Sequence, residues 1–86
     1  MSASSIGEQF PCLYTFKIFG RSSEGFAEKV RAIVAATLGA VPSEAVTLRE
    51  SSQGRYVSVT VVIRVETQNQ LERVYADLRA EEEVLL

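Results

Sequence analysis

The sequence predicts an α+β domain in which helices cover one face of an antiparallel sheet, and three observations predict it. Val57, Val59, Val61, Ile63 and Val65 alternate with Ser58, Thr60, Val62 and Arg64. Side chains on a strand point to opposite faces with a period of two, so this strand has one wholly apolar face and one mostly polar face. Two other segments carry apolar residues at helical spacing: Phe26, Val30, Ile33, Val34 and Leu38, then Leu71, Val74, Tyr75 and Leu78. Finally, Ser51-Ser52-Gln53-Gly54 is a turn signal, which makes the valine strand the second arm of a hairpin.

In chain order, residues 1–9 are small and polar and are expected to form a mobile tail, since little there could be buried to offset the lost chain entropy. Residues 10–86 form the single domain. Phe10-Pro11 stops local helix and leads into a first strand over Leu13 to Gly20. Tyr14, Phe16 and Ile18 are assigned to the core side because Lys17 cannot be buried unpaired without a large desolvation cost. Ser22 and Ser23 offer N-cap oxygens to the first helix, and Glu24 puts negative charge where the helix dipole favours it. Gly39 closes that helix, and Pro42 cannot continue it. Val46 and Leu48 alternate with Thr47 and Arg49 as a second strand. Thr67 and Gln70 fit a capping box at the start of the second helix. Glu81 to Glu83 then run into Val84-Leu85-Leu86, room for a short last strand.

The order β-α-β-β-α-β, with right-handed crossovers, predicts a ferredoxin-like sandwich: a four-stranded antiparallel sheet with two helices on one face. The opposite sheet face would show Thr15, Lys17, Phe19, Thr47, Arg49, Tyr56, Ser58, Thr60, Val62 and Arg64. Such mixed character suits a ligand or partner better than bare solvent.

Bulk properties narrow the function. A chain of 86 residues buries little more than about 60% of its unfolded surface, so a second copy would help stability and a homodimer is expected. The formal charge of −2 lacks the basic excess of nucleic-acid binders, and nucleic acid is not expected as a partner. Cys12 is the one cysteine, which excludes an internal disulfide and fits a reducing compartment. With neither a secretory signal nor an apolar run long enough to span a bilayer, the expected location is the cytoplasm, with no membrane partner.

Catalytic chemistry is poorly supplied. There is no histidine, no acid pair shares a predicted face, and no base stands beside Cys12. One thiol and no imidazole make no metal site, and no cofactor is expected. The Glu81–Glu83 run reads as a solvated face. Gly54-Arg55-Tyr56-Val57-Ser58-Val59 faintly resembles the third-strand motif of RNA-recognition modules, with Tyr56 placed to stack a base and Phe19 as a second aromatic. The Ser51–Gly54 turn reads as a hairpin loop or, alternatively, as an anion cradle of backbone N–H groups and hydroxyls beside Arg55.

Two segments together resemble a known family. Phe10-Pro11-Cys12-Leu13-Tyr14-Thr15-Phe16-Lys17-Ile18-Phe19-Gly20 is similar to the opening of the YbeD-like family of small bacterial proteins of unknown function. Ser51-Ser52-Gln53-Gly54-Arg55-Tyr56-Val57-Ser58-Val59-Thr60 is similar to its second signature. The resemblance implies a ferredoxin-like fold close to that of ACT regulatory domains, which bind small effectors at interfaces between paired domains. Arg21-Ser22-Ser23-Glu24-Gly25-Phe26 occupies the place of their effector loop.

The function expected is a non-enzymatic regulatory or adaptor domain, sensing a small anionic metabolite at a dimer interface. The positions expected to contact such a ligand are Lys17, Gly20, Gly25, Ser51, Ser52, Gly54, Tyr56 and Ser58. The alternatives are a protein-interaction module using the open sheet face or an edge strand, and a single-stranded RNA-binding domain.

Overall fold

The computed structural model describes residues 10–51 and 53–85; the expected N-terminal tail, Ser52 and Leu86 lie outside the described residues. Strand β1 (Cys12–Arg21) leads into helix α1 (Phe26–Leu38), and a short 3-10 turn at Ser43–Ala45 precedes strand β2 (Val46–Glu50). Strand β3 (Tyr56–Val65) and helix α2 (Gln68–Arg79) follow. The sheet is three-stranded and antiparallel in the order β1-β3-β2.

The alternation along β3 sets the architecture. Val57, Val59, Val61 and Val65 are buried, while Tyr56, Val62 and Arg64 are exposed. Registers of Phe16 with Val61 and Ile18 with Val59 put the apolar residues of β1 on the same face. Phe26, Val30 and Val34 of α1 and Val74 and Leu78 of α2 close over that face. Each of these side chains contributes about 1.5–3 kcal/mol when fully withdrawn from water. Tyr14, Phe16 and Tyr75 form an aromatic cluster at one end, with Phe16 and Tyr75 centroids 5.4 Å apart.

Local signals act as expected in α2 and differently in α1. The Thr67 hydroxyl accepts from the Gln70 N–H at 3.2 Å, and the Gln70 side chain accepts from the Glu66 N–H at 2.8 Å. At α1 the cap is Gly25, at φ 83° with no side-chain bond, and not Ser22 or Ser23. The Ser23 hydroxyl instead donates to Glu83 at 3.4 Å, while its carbonyl accepts the Phe26 N–H at 3.2 Å. Gly39 ends α1 at φ 89°, a conformation that glycine adopts without a Cβ clash.

The expected fourth strand is a correction. After α2, tight turns occupy residues 80–83, with the Glu81 N–H bonded to the Leu78 carbonyl and the Val84 N–H to the Glu81 carbonyl. That leaves a single bridge, Gly20 with Val84, and one bond from the Leu85 N–H to the Phe19 carbonyl at 2.7 Å. Nor is the acidic run merely solvated. Lys29 of α1 pairs with Glu81 at 3.4 Å and Glu83 at 3.3 Å, clamping this segment against the end of β1. Hydrogen bonds to Glu83 and then Glu81 raise the Lys29 pKa above its ordinary 10.5. Lys29 therefore stays charged at neutral pH and loses its charge only as pH climbs through the raised value. Exposed pairs of this kind contribute little to stability; their role is to hold the segment in place.

Candidate functional site

Among the described residues, nothing covers the sheet face away from the helices. Cross-strand register arranges it in rows: Arg21 opposite Tyr56, then Phe19, Ser58 and Arg49, then Lys17, Thr60 and Thr47, then Thr15 opposite Val62, then Leu13 opposite Arg64. The central positions are small hydroxyl residues, so the surface dips there between longer side chains. Two adjoining hollows result. One, of about 200 Å³, is lined by Phe19, Arg49, Glu50, Ser51, Tyr56, Val57 and Ser58. The other, of about 190 Å³, is lined by Lys17, Thr47, Arg49, Ser58 and Thr60. Arg49 and Ser58 belong to both, so the two form one tray with an aromatic end and a cationic, hydroxyl-floored end.

Charge is segregated on this face. Its outward strand positions carry Lys17, Arg21, Arg49 and Arg64 and no acid. Arg64 is engaged by Glu66 at 2.8 Å. Lys17 and Arg49 make no ion pair among the described residues. The net charge of −2 therefore averages over an acidic helix-and-loop surface and a basic sheet face. Phe19 and Tyr56 are each 50% exposed, and neither takes part in the aromatic cluster of the core.

Of the expected contact positions, Lys17, Ser51, Tyr56 and Ser58 line this tray. Gly20 does not: it is buried on the core face beside the Phe26 ring and the Glu83 carbonyl. Gly25 lines a separate hollow of about 180 Å³ beside Glu28, Glu50 and Leu48, where two carboxylates and no cation disfavour an anion. In the hairpin turn, the Ser51 N–H donates to the Tyr56 carbonyl at 2.9 Å, and the Gly54 N–H to the Ser51 carbonyl at 3.0 Å. The Ser51 hydroxyl accepts from the Tyr56 N–H at 3.3 Å. Gly54 sits at φ 70°. The Ser51 and Gly54 N–H groups thus serve the turn, as the hairpin reading expects. Ser52 lies outside the described residues.

Arg49, Thr47, Thr60 and Phe19, expected on the open face but not among the named anion contacts, complete the tray. The signal was available: β2 and β3 alternation put all of them on the polar face. What the sequence withheld was the register that brings Arg49 beside Ser58. A further hollow of about 370 Å³, between the helices, is lined by Ala36, Thr37, Asn69, Gln70, Arg73 and Asp77; its opposed charges select no sign of ligand. No group of three or more His, Cys, Asp or Glu side chains comes together among the described residues. No helix among them is long and apolar enough to cross a membrane.

Comparison with known proteins agrees with this architecture. A UPF0250 protein of Shewanella woodyi is 38% identical over 78 residues, covering 88% of this chain and 84% of its own length. A UPF0250 protein of Pseudomonas paraeruginosa is 37% identical over 73 residues, covering 84% and 78%. The solution structure of protein HP0495 from H. pylori superposes with a TM-score of 0.68 at 12% identity, over 92% of this chain and 82% of that one. At that identity the likeness is one of fold alone. Residues 7–86 match the family described as "Protein of unknown function (DUF493)". The chain thus belongs to this family, a YbeD-like bacterial group with no assigned function.

Proposed function

We propose that this protein is a non-enzymatic regulatory or adaptor domain of the cytoplasm that binds a small anionic metabolite on its open sheet face. The observation that carries the proposal is the tray: two cations without ion-pair partners among the described residues, four serine and threonine hydroxyls and two half-exposed aromatics around one depression. Exposed cations over a hydroxyl floor bind an anion through charge-assisted hydrogen bonds without a catalytic group. The strand order, with Val84 bridging the outer side of β1, supports a ferredoxin-like frame whose fourth strand is reduced to one pair. That frame is the one on which ACT-like domains place effectors, although fold alone assigns no function.

A thermal-shift screen of phosphate- and carboxylate-bearing metabolites on the full chain tests this reading. At 100 times its dissociation constant, a true ligand stabilises by about 2.7 kcal/mol, which raises melting by several degrees in a domain of this size. The stabilisation is expected to disappear in Lys17→Ala/Arg49→Ala. A screen with no stabilising anion, or equal stabilisation of the double variant, overturns the proposal.

A second reading, a protein-interaction module that includes self-association, rests on the outer edge of β1. Among the described residues, Val84 and Leu85 cover only its Phe19–Gly20 end. Leu13, Thr15 and Lys17 therefore present backbone groups to which another strand could add. A purified chain that remains monomeric at high micromolar concentration by light scattering removes the self-association part.

A further inference from the structure

We infer that the tray takes a planar ring carrying one phosphate, the chemistry of a nucleoside monophosphate. The inference rests on the anion-binding reading above and deepens it. The cationic end offers five donor side chains, Lys17 and Arg49 with Thr47, Ser58 and Thr60. A carboxylate has two oxygens to satisfy, whereas a terminal phosphate presents three strong acceptors around one centre and uses such a set more fully. Arg49 supplies a fork suited to two of those oxygens and Lys17 a point charge for the third.

The aromatic end fixes the other half of the ligand. Phe19 and Tyr56 lie diagonally across β1 and β3, since Phe19 faces Ser58 and Tyr56 is two residues before it. Both flank the same hollow. Half-exposed rings beside a cationic groove form a stacking platform for a flat heterocycle, which is sequence-tolerant because every base has a π-face. Alternate residues of a strand lie about 6.8 Å apart on one face, so the Phe19 row and the Lys17 row are separated by a short linker such as a sugar. The ring would rest against Phe19 and Tyr56, the linker over Ser58, and the phosphate between Lys17 and Arg49.

The same face argues for one nucleotide unit in preference to a strand. Glu50 borders the aromatic hollow, and at the far end of the face Arg64 is already held by Glu66. Beyond the ring stand one carboxylate, Glu50, and one cation, Arg21 opposite Tyr56, which give no continuous basic track for a strand of phosphates on a chain whose net charge is −2.

Titration of the full chain with adenosine and uridine 5′-monophosphates, ribose 5-phosphate, adenosine and an eight-nucleotide single-stranded RNA separates the possibilities. The monophosphates are expected to bind at least tenfold more tightly than ribose 5-phosphate or adenosine. Tyr56→Ala should bring them down to the level of ribose 5-phosphate without changing the latter, and Tyr56→Phe should retain the original ratio. Lys17→Gln/Arg49→Gln should weaken every phosphate and leave adenosine unchanged. All these positions are on the uncovered face, and an unaltered circular dichroism spectrum certifies each variant. Equal binding of ribose 5-phosphate and the monophosphates overturns the ring assignment and leaves the anion reading standing. No binding of any phosphate overturns both. RNA binding more than a hundredfold tighter than the monophosphates, with a steep salt dependence, overturns the single-unit assignment.

Discussion

Phe16→Ala is expected to lower the melting temperature by at least about 12 °C, whereas Phe19→Ala, three residues along the same strand, leaves it nearly unchanged. Phe16 is fully buried and packs within 4.9 Å of the Tyr14 ring centroid and 5.4 Å of that of Tyr75. Truncating such a ring removes its transfer energy and leaves a cavity, together about 3–5 kcal/mol. At ~0.05–0.15 kcal/mol per residue, a chain of 86 residues has a total margin of about 4–13 kcal/mol, so this one change removes between about a quarter and all of it. Phe19 points to the uncovered face and is 50% exposed; its truncation should stay within about 0.5 kcal/mol. Thermal melts by circular dichroism check both. Equal losses would mean that both sheet faces are covered and that no tray exists.

Gly20→Val is expected to cost about 1–3 kcal/mol through overpacking and to release the C-terminal segment. A Cβ built at Gly20 would stand 2.6 Å from the Glu83 carbonyl oxygen and against the Phe26 ring. That oxygen is backbone, held by the turns after α2 and by the Lys29 clamp, so it cannot swing aside as a flexible side chain would. The sharpest local readout is the Leu85 amide, which donates to the Phe19 carbonyl. Its hydrogen exchange should accelerate well beyond the change in global stability. Unaltered melting and unaltered Leu85 protection would contradict this packing.

These two positions also show what could be read before the fold was known. The period of two from Val57 to Val65 settled which residues meet the helices, because a one-residue slip would expose the whole valine set. The Thr67 cap was equally legible, since its partner Gln70 lies within the same turn. Long-range arrangements were not. Ser22 and Ser23 look like caps, yet Ser23 is drawn to Glu83, sixty residues away, and Gly25 opens the helix. Glu81–Glu83 look like a solvated run until Lys29 of α1 is seen beside them. Val84 and Leu85 alternate as a strand might, but the tight turns before them leave only one bridge. Gly20 was expected near a ligand, and it is the packing of Phe26 that requires it to be glycine.

Net charge is uninformative about this face for a related reason. A chain-wide sum contains no direction, and the acids of this protein lie mainly on helices and loops while the outward positions of three strands hold four cations. The sum of −2 does not reveal the basic face, because electrostatic attraction is governed by nearby charges within about one Debye length. The register supplied what the sum lacked, bringing Arg49 of an edge strand alongside Ser58 and the Lys17 row.

The most direct measurement is a backbone amide map of the full chain during titration with inorganic phosphate at low ionic strength. The expected map has its largest shifts at Lys17, Arg49, Ser58 and Thr60, with Gly25 and Gly54 unmoved. Shifts centred on the α1 start or the hairpin turn, or none above those produced by chloride, would contradict an anion site on the uncovered sheet face.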